Sequence, residues 1–205
     1  MPRTTLRRLN GFDDTPAKLA DSTLVLIDYQ NTYTTGVMEL DGWQPALDAA
    51  ARLLTAARRA GTTVIHVIND GGPGTPYDIR AETGRIHPSV APAEGETVVV
   101  KQAPDSFVGT GLGEHIDAAG RNDLVIAGFM THMCVAFTAQ GAFLRGNRPT
   151  VVADACATRS LPVAGTELDA GQVHHSALAT IADLYGVVVP TQNALTQGLP
   201  QRPGA

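Results

Sequence analysis

The sequence lacks a long hydrophobic run. No stretch approaches the roughly 20 consecutive apolar residues that a membrane-spanning helix needs. The N-terminal stretch MPRTTLRRLNGFDD contains arginines but no apolar segment behind them, so it does not resemble a secretory signal. We therefore expect a cytoplasmic protein without a membrane partner.

The sequence is also short of positive charge and of cysteine. Lys and Arg number 15 against 20 Asp and Glu, so the formal net charge is -5 and no basic patch indicates a nucleic-acid partner. The two cysteines, Cys134 and Cys156, form no C-x-x-C motif, which argues against a zinc ribbon or a thioredoxin-like site. A disulfide between them is formally possible, but a reduced chain with one working thiol is the favoured interpretation.

What the sequence contains is an alternation of short apolar runs and helical patterns. Its 205 residues suit one α/β domain, so we predict a single domain over 1–205 with an N-terminal arm (1–20) and a polar C-terminal tail (192–205). The predicted strands are 24–27, 62–68, 97–100, 124–127, 150–153 and 187–189. The predicted helices are 45–60, 112–119, 131–145, which is capped by Thr131, and 171–185.

The strand runs are apolar throughout instead of alternating with polar residues. This pattern is typical of a parallel sheet that is covered by helices on both faces. Strands that alternate with helices form right-handed crossover units. The sequence therefore predicts an α/β fold with three αβα layers and a doubly wound, mainly parallel six-stranded sheet. The Gly- and Pro-rich stretch 69–95 is too long for an ordinary connection and is a candidate lid.

Three reactive side chains fall at the ends of different strands. Asp28 follows the first strand, Lys101 ends the third, and Cys134 lies in the first turn of the helix after the fourth. Ligands of open parallel sheets bind at the carboxyl ends of the strands, so we expect a carboxylate, an amine and a thiol to meet there.

The position of Cys134 predicts an activated thiol. The positive end of the helix dipole and the nearby Lys101 both favour the thiolate. The nearby Asp28 opposes this shift, but its carboxylate can accept the thiol proton. The loop 128–131 is a candidate to direct backbone N–H groups at a developing oxyanion. Taken alone, a single cysteine is as often a buried and inert residue.

Three motifs together resemble the isochorismatase-like cysteine hydrolase superfamily, which includes nicotinamidases and N-carbamoylsarcosine amidohydrolase. LVLIDYQN is similar to the family's strand ending in D-x-Q, and VVVKQAPDSFVGTGL is similar to its K followed by S-F-x-x-T-x-L. VIAGFMTHMCVAFTA is similar to its G-x-x-T-x-x-C-V. The resemblance implies an isochorismatase-like (Rossmann-like) fold. It also implies a cysteine-dependent hydrolase that cleaves an amide or ureido C–N bond of a small molecule through a thioester.

The resemblance also implies roles for individual residues. Asp28, Lys101 and Cys134 match the catalytic positions of the family. A cis peptide bond is implied between Phe129 and Met130, and the backbone N–H groups of Met130 and Cys134 are implied to form the oxyanion hole. A homo-oligomer is implied as well. True isochorismatases lack the thiol, so Cys134 argues against that activity.

The metal motif of the nicotinamidases is missing. Those enzymes carry D-x-H after the second strand, whereas here His66 lies within the strand and no His stands two positions after Asp70. We therefore predict no metal and no other cofactor, and nicotinamide is disfavoured as a substrate. GTGLGEH (109–115) and DYQNT (28–32) are disfavoured as a dinucleotide loop and a phosphatase motif, because neither motif is complete.

Residues near these motifs are candidates for contact with the substrate. Gln30 is a candidate either for substrate binding or for local turn hydrogen bonds, and Tyr33 and Tyr77 are candidates to line the pocket or simply to pack. Arg159 either supports the edge of the site or forms a local salt bridge. Two further alternatives stay open. One is a relative that binds a small molecule without turning it over, and the other is a hydrolase of a larger amide-bearing metabolite.

Overall fold

A computed structural model describes residues 4–195. Its strands are β1 (Ser22–Ile27), β2 (Thr63–Asn69), β3 (Thr97–Lys101), β4 (Asp123–Gly128), β5 (Arg148–Val152), β6 (Leu161–Val163), β7 (Thr166–Leu168) and β8 (Val187–Val189). Its α-helices are α1 (Leu6–Leu9), α2 (Trp43–Ala60), α3 (Leu112–Ala119), α4 (Ala136–Leu144) and α5 (Ala170–Thr180). No helix within this range is long and apolar enough to cross a membrane.

The central sheet has six strands in the order β3-β2-β1-β4-β5-β8. Every neighbouring pair is parallel. The chain winds outward in one direction from β1 and in the other from β4, so a crevice opens between the carboxyl ends of these two strands. The predicted doubly wound sheet is confirmed. The crevice lies at the carboxyl ends of the strands, where the sequence predicted that Asp28, Lys101 and Cys134 meet.

Strand β1 supplies side chains to both faces of the sheet. Leu24 and Leu26 pack in the apolar cluster formed with α2. Val25 and Ile27 pack in the opposite cluster, which contains residues of α3, α4 and α5. Because both faces are covered, all six residues of β1 are buried. This explains the absence of alternation in the strand sequence.

The helix predicted over 131–145 does not begin as an α-helix. Thr131–Val135 forms a π-helical turn that leads into α4, and the residue before the turn is the extended Met130. Thr131 is therefore not the N-cap that was predicted. Similarly, α5 ends in a π-helical turn over Ile181–Tyr185. A single turn of side chains does not distinguish the two helix types, and π-helical turns recur at functional sites.

The antiparallel pair β6–β7 was not predicted. Ala164 and Gly165 connect the two strands with φ values of 48° and 79°. Two consecutive positive φ values characterise the tight hairpin turn that matches the twist of paired strands. The strands have only three residues each, so their pattern is too short to be recognised in the sequence.

The predicted N-terminal arm contains one helical turn, α1, and packs on the domain. Arg7 forms an ion pair with Asp14 at 3.2 Å and donates to the carbonyl of Leu184 at 3.1 Å. The backbone N–H of Ala17 donates to Thr150 Oγ1 at 3.0 Å. At the other end, residues 192–195 form a short 3₁₀ turn, and the remainder of the predicted tail lies outside the described residues.

Candidate active site

Asp28, Lys101 and Cys134 meet at the carboxyl ends of the strands. Asp28 directly follows β1, Lys101 is the last residue of β3, and Cys134 lies in the π-helical turn that follows β4. Lys101 Nζ is 2.8 Å from Asp28 Oδ2 and 3.3 Å from Cys134 Sγ. The structure thus brings the three predicted reactive side chains into contact.

The cluster of Asp28, Lys101 and Cys134 is buried, and the Asp28 carboxylate has few hydrogen bonds. Asp28 is 0% exposed, Lys101 1% and Cys134 7%. The ammonium lies at ion-pair distance from Asp28, but neither carboxylate oxygen has a hydrogen-bond partner of regular geometry among residues 4–195. Because a buried charge is stable only when it is paired and hydrogen-bonded, this carboxylate retains capacity to accept a proton.

The backbone at Asp28 adopts the left-handed conformation, with φ at 53°. Aspartate is one of the few residue types that tolerate this region, at a cost of about 1 kcal/mol. The backbone N–H of Asp28 donates to Val67 O at 2.9 Å, and its carbonyl accepts from Gln30 N at 2.8 Å. These bonds hold the turn that places the carboxylate at the crevice.

The acid–base properties of the cluster favour a protonated thiol at rest. Burial raises the pKa of the Asp28 carboxyl, and the charge of Lys101 offsets only part of this effect. Burial and then the charge of Asp28 raise the pKa of Cys134 to about 12, against the opposing effect of Lys101. Lys101 and Asp28 thus act on the thiol pKa in the predicted directions, but burial and Asp28 outweigh Lys101, so the expected net activation of the thiol at rest is not found. A carboxylate of raised pKa is, however, a suitable base for the thiol proton.

Just before the turn that carries Cys134, the backbones of β1 and β4 approach each other closely. Gly128 has φ at 158°, and a Cβ atom there would lie 2.3 Å from the carbonyl oxygen of Ile27. Glycine is the only residue that fits such an approach. The next peptide bond, between Phe129 and Met130, is cis, as the resemblance implies.

The turn itself is anchored by Thr131. Its backbone N–H and its hydroxyl both donate to Ala157 O, at 3.0 and 3.1 Å. His174 Nδ1 lies 2.8 Å from the same hydroxyl. Since the hydroxyl proton is used by Ala157, His174 is the donor in this contact. The turn that carries the N–H groups of Met130 and Cys134 is thus fixed from two sides, and their use as an oxyanion hole stays a prediction.

A second anchor, which the sequence reasoning missed, joins the loop after Lys101 to the helix of Cys134. Ser106 is fully buried, its N–H donates to Thr138 Oγ1 at 3.1 Å, and the two hydroxyls lie 2.8 Å apart. Thr138 lies one helical turn after Cys134, and Thr110 donates to the carbonyl of Ser106 at 2.5 Å. These contacts explain the S-F-x-x-T part of the second motif.

Gln30 does not face a substrate. It is 0% exposed. Its Nε2 donates to the carbonyls of Asn69 at 2.9 Å and Gly84 at 2.7 Å, and its Oε1 accepts from Asn69 N at 2.9 Å. The predicted substrate contact is therefore wrong, because the amide is used by the backbone at the start of the candidate lid, Asn69, and in its interior, Gly84. Sequence spacing does not reveal a partner that lies more than 30 residues away.

Tyr33 and Tyr77 lie against each other beside the cluster. Their ring centroids are 5.8 Å apart. Burial raises the pKa of both hydroxyls, and the charges of Asp28 and Cys134 add to this rise. Tyr33 is 2% exposed and packs in the core, whereas Tyr77, on the 69–95 loop, is half-buried. Contact of Tyr77 with the substrate stays a prediction.

His66 and Asp70, which lie where nicotinamidases carry their metal motif, each contact another side chain. His66 Nε2 lies 2.9 Å from Glu96 Oε2, and Asp70 forms an ion pair with Arg80 at 3.1 Å. Among residues 4–195, no three His, Cys, Asp or Glu side chains are grouped to hold a metal ion.

The sheet order and the buried cluster at its crevice define a doubly wound α/β protein with a carboxylate, an ammonium and a thiol in contact. Residues 22–193 match the family model of the isochorismatase domain. The chain belongs to the isochorismatase family.

Relatives of known name are similar over much of the chain. It is 38% identical to streptothricin hydrolase of Streptomyces noursei over 69% of the chain, but it spans only 51% of that protein. It is 30% identical to maleamate amidohydrolase of Pseudomonas putida KT2440, over 91% of the chain and 88% of the relative. A crystal structure of an isochorismatase from Pseudomonas putida KT2440 superposes with a TM-score of 0.91 at 39% identity, covering 94% of this chain and 99% of that one.

Proposed function

We propose that the protein hydrolyses a C–N bond of a small molecule, in an amide or ureido group, with Cys134 as the nucleophile. The observation that carries this proposal is the contact of Lys101 Nζ with both Asp28 Oδ2 and Cys134 Sγ, at 2.8 and 3.3 Å in a buried site. The similarity to maleamate amidohydrolase and streptothricin hydrolase supports the bond class.

The first half of the reaction forms a thioester. The proton of Cys134 moves to the Asp28 carboxylate while Sγ attacks the carbonyl carbon. The backbone N–H groups of Met130 and Cys134 donate to the resulting oxyanion. The C–N bond then breaks, and the leaving nitrogen takes the proton from Asp28. Because burial and the charge of Asp28 raise the pKa of the thiol, Cys134 starts the reaction protonated and Asp28 has to take the proton.

The second half releases the acid. Asp28 removes a proton from water, and the hydroxide attacks the thioester carbon. The C–S bond breaks, the product leaves as a carboxylic acid, and Cys134 regains the proton from Asp28. Throughout, the ammonium of Lys101 faces both the carboxylate and the sulfur, so it stabilises whichever of them carries the negative charge.

The buried carboxylate and ammonium of the site argue against a protein that only binds its ligand without turning it over. Burying a carboxylate and an ammonium costs several kcal/mol per ion unless good geometry offsets the loss of water. Here the carboxylate is short of regular hydrogen bonds, so the cluster is a poor stabilising device. A role in proton transfer accounts for this arrangement. A homo-oligomer and a cytoplasmic location stay predictions.

The proposal is tested with Cys134→Ala and the matched variant Cys156→Ala, which removes a thiol that is similarly buried but donates to Val152 O. Release of ammonia or amine is followed on a panel of small amides and ureides that includes maleamate. We expect kcat/KM to fall by about 10⁴-fold or more for Cys134→Ala and to change little for Cys156→Ala. Acid quenching should also trap an acyl group on the peptide of Cys134. Turnover by a folded Cys134→Ala variant near the wild-type rate would refute the mechanism.

A further inference from the structure

The hydroxyl of Thr131 joins the turn that carries Cys134 to helix α5. Thr131 is 0% exposed. Its hydroxyl donates to Ala157 O at 3.1 Å and lies 2.8 Å from Nδ1 of His174, a residue of α5. A hydroxyl has one proton and two acceptor sites, so the proton given to Ala157 leaves an acceptor site that the Nδ1–H of His174 fills. The two partners together fix the orientation of the Thr131 side chain.

His174 is itself held in place at the start of its helix. Helix α5 begins with a capping box, in which the Asp169 carboxylate accepts from Gln172 N at 2.8 Å and the Gln172 side chain accepts from Asp169 N at 3.0 Å. Burial, and then the charge of the neighbouring His175, lower the pKa of His174. The imidazole is therefore neutral at pH 7 and carries a single N–H, which the contact with Thr131 assigns to Nδ1.

The turn that Thr131 anchors is one hydrogen-bonded unit around the nucleophile. The carbonyl of Met130 accepts from the N–H groups of Met133 and Val135, at 3.0 and 3.3 Å, and these two residues flank Cys134 in the sequence. Because the turn is closed on itself in this way, a shift of Thr131 moves Met130 and Cys134 with it. The N–H groups proposed to receive the oxyanion would move as well.

We propose that His174 is a positioning residue for the hydrolysis, which aligns the N–H groups of Met130 and Cys134 with the oxyanion through the hydroxyl of Thr131. Donors stabilise a transition state only when they point to the place where its charge develops, and a small misplacement costs much of the rate. Since His174 acts on this alignment and not on the bound substrate, it should affect kcat and leave KM nearly unchanged. This inference rests on the proposed function, because the oxyanion forms only when Cys134 attacks a carbonyl carbon.

The first test uses two variants that replace different nitrogens of the imidazole. The amide nitrogen of His174→Asn takes the place of Nδ1 and can donate to Thr131, whereas that of His174→Gln extends to the place of Nε2. On the amide of the panel that wild type cleaves best, kcat should fall about 30-fold in His174→Gln, with KM within about twofold, and stay within about threefold of wild type in His174→Asn. His175→Gln, which replaces an exposed histidine bonded to Gly171 O of its own helix, should change neither constant. Equal kcat values for the Gln and Asn variants, or a loss confined to KM, would overturn the inference while leaving the hydrolase intact.

The second test needs no turnover of an amide. When p-nitrophenyl acetate acylates Cys134, Sγ attacks the ester carbonyl, the C–O bond to p-nitrophenolate breaks, and the thiol proton passes to Asp28. Iodoacetamide alkylates the same sulfur without forming an oxyanion, so the ratio of the two rates reports on the N–H donors. We expect this ratio to fall about tenfold in His174→Gln and to recover in His174→Asn.

A variant that merely loosens the fold would change both rates alike, so a ratio that is unchanged in His174→Gln would overturn the inference. The reaction of Cys134→Ala with each reagent supplies the background to be subtracted. A ratio that responds as expected, in a wild type that cleaves no amide of the panel, supports the positioning role and refutes the proposed hydrolysis instead.

Discussion

Glu96 and Asp28 are both carboxylates in ion pairs, but the protein holds them in opposite ways. Glu96 accepts hydrogen bonds from Arg58 through both of its oxygens, from the backbone of Ala93, and from His66. The hydrogen bond from Arg58 is the largest of several effects that lower the pKa of Glu96 to about 2. Both of its oxygens accept hydrogen bonds, and these bonds join the start of β3 to α2.

Asp28 faces one cation, Lys101, and the thiol of Cys134. It is wholly buried, its oxygens lack regular hydrogen bonds, and burial raises its pKa. The presence of an ion pair therefore does not separate a structural carboxylate from a reactive one. What separates them is the number of donors that reach the oxygens, since each donor stabilises the charged form and weakens the base.

The largest expected effect is on catalysis by Asp28→Asn. The amide keeps the shape of the carboxylate but cannot take the thiol proton, so kcat should fall by about 10⁴-fold. Glu96→Gln should stay within a fewfold of wild type in the same assay. An Asp28→Asn variant that keeps a tenth of the wild-type rate would break the comparison, because Asp28 would then be structural too.

Glu96→Gln should lower the free energy of unfolding, although it should leave catalysis nearly unchanged. Its folded pKa lies below the ordinary 4.5, so its contribution is complete above that pH and is lost as the pH falls towards 2. The shift corresponds to roughly 3 kcal/mol at most. Urea unfolding at pH 7 should show a loss of that order for Glu96→Gln, and the difference from wild type should shrink near pH 3.

The matched control for this effect is Glu82→Gln. Glu82 is also paired with an arginine, Arg85, but its side chain is 76% exposed. Exposed pairs contribute little, so this variant should unfold as wild type does at both pH values. If Glu96→Gln were as stable as Glu82→Gln at pH 7, the hydrogen bonds to Glu96 would not be stabilising.

The smallest expected effect is on the alkylation rate of Cys134 in Asp28→Asn, and it tests how Asp28 acts on the thiol. Its negative charge raises the pKa of the Cys134 thiol, whereas Lys101 lowers it. Asp28→Asn removes the first effect and keeps the second, so iodoacetamide at pH 8 should alkylate Cys134 about tenfold faster in this inactive variant. Cys156, whose pKa burial raises to about 12, serves as the internal reference. Titration of wild-type Cys134 near pH 8.5 would contradict this account.

The sequence was sufficient for the sheet and for the place where its reactive residues meet. The buried parts of β1 (24–27) and β4 (124–127) are continuous apolar runs, the bounds of α3 were predicted as they occur, and polar residues that follow such runs mark the carboxyl edge. Asp28, Lys101 and Cys134 could be placed by that rule alone. The three-residue strands of the hairpin were too short to be recognised in this way.

The sequence was insufficient wherever the answer depends on tertiary contacts. The partners of Gln30 lie on the candidate lid, so its role could not be derived from the turn in which it stands. The direction of the Cys134 pKa depends on how completely the thiol and Asp28 are buried.

The contacts of Gln30 have a consequence for how this protein can diverge. The hydrogen bonds of its side chain go to main-chain atoms of Asn69 and Gly84, so this contact does not depend on which side chains the lid carries. Gly84 itself must stay, because a Cβ there would lie 2.2 Å from the carbonyl of Asp78. Val90 is constrained too, because it is fully buried in the core, so a new specificity would be grafted onto the exposed positions of the segment while the catalytic centre stays unchanged.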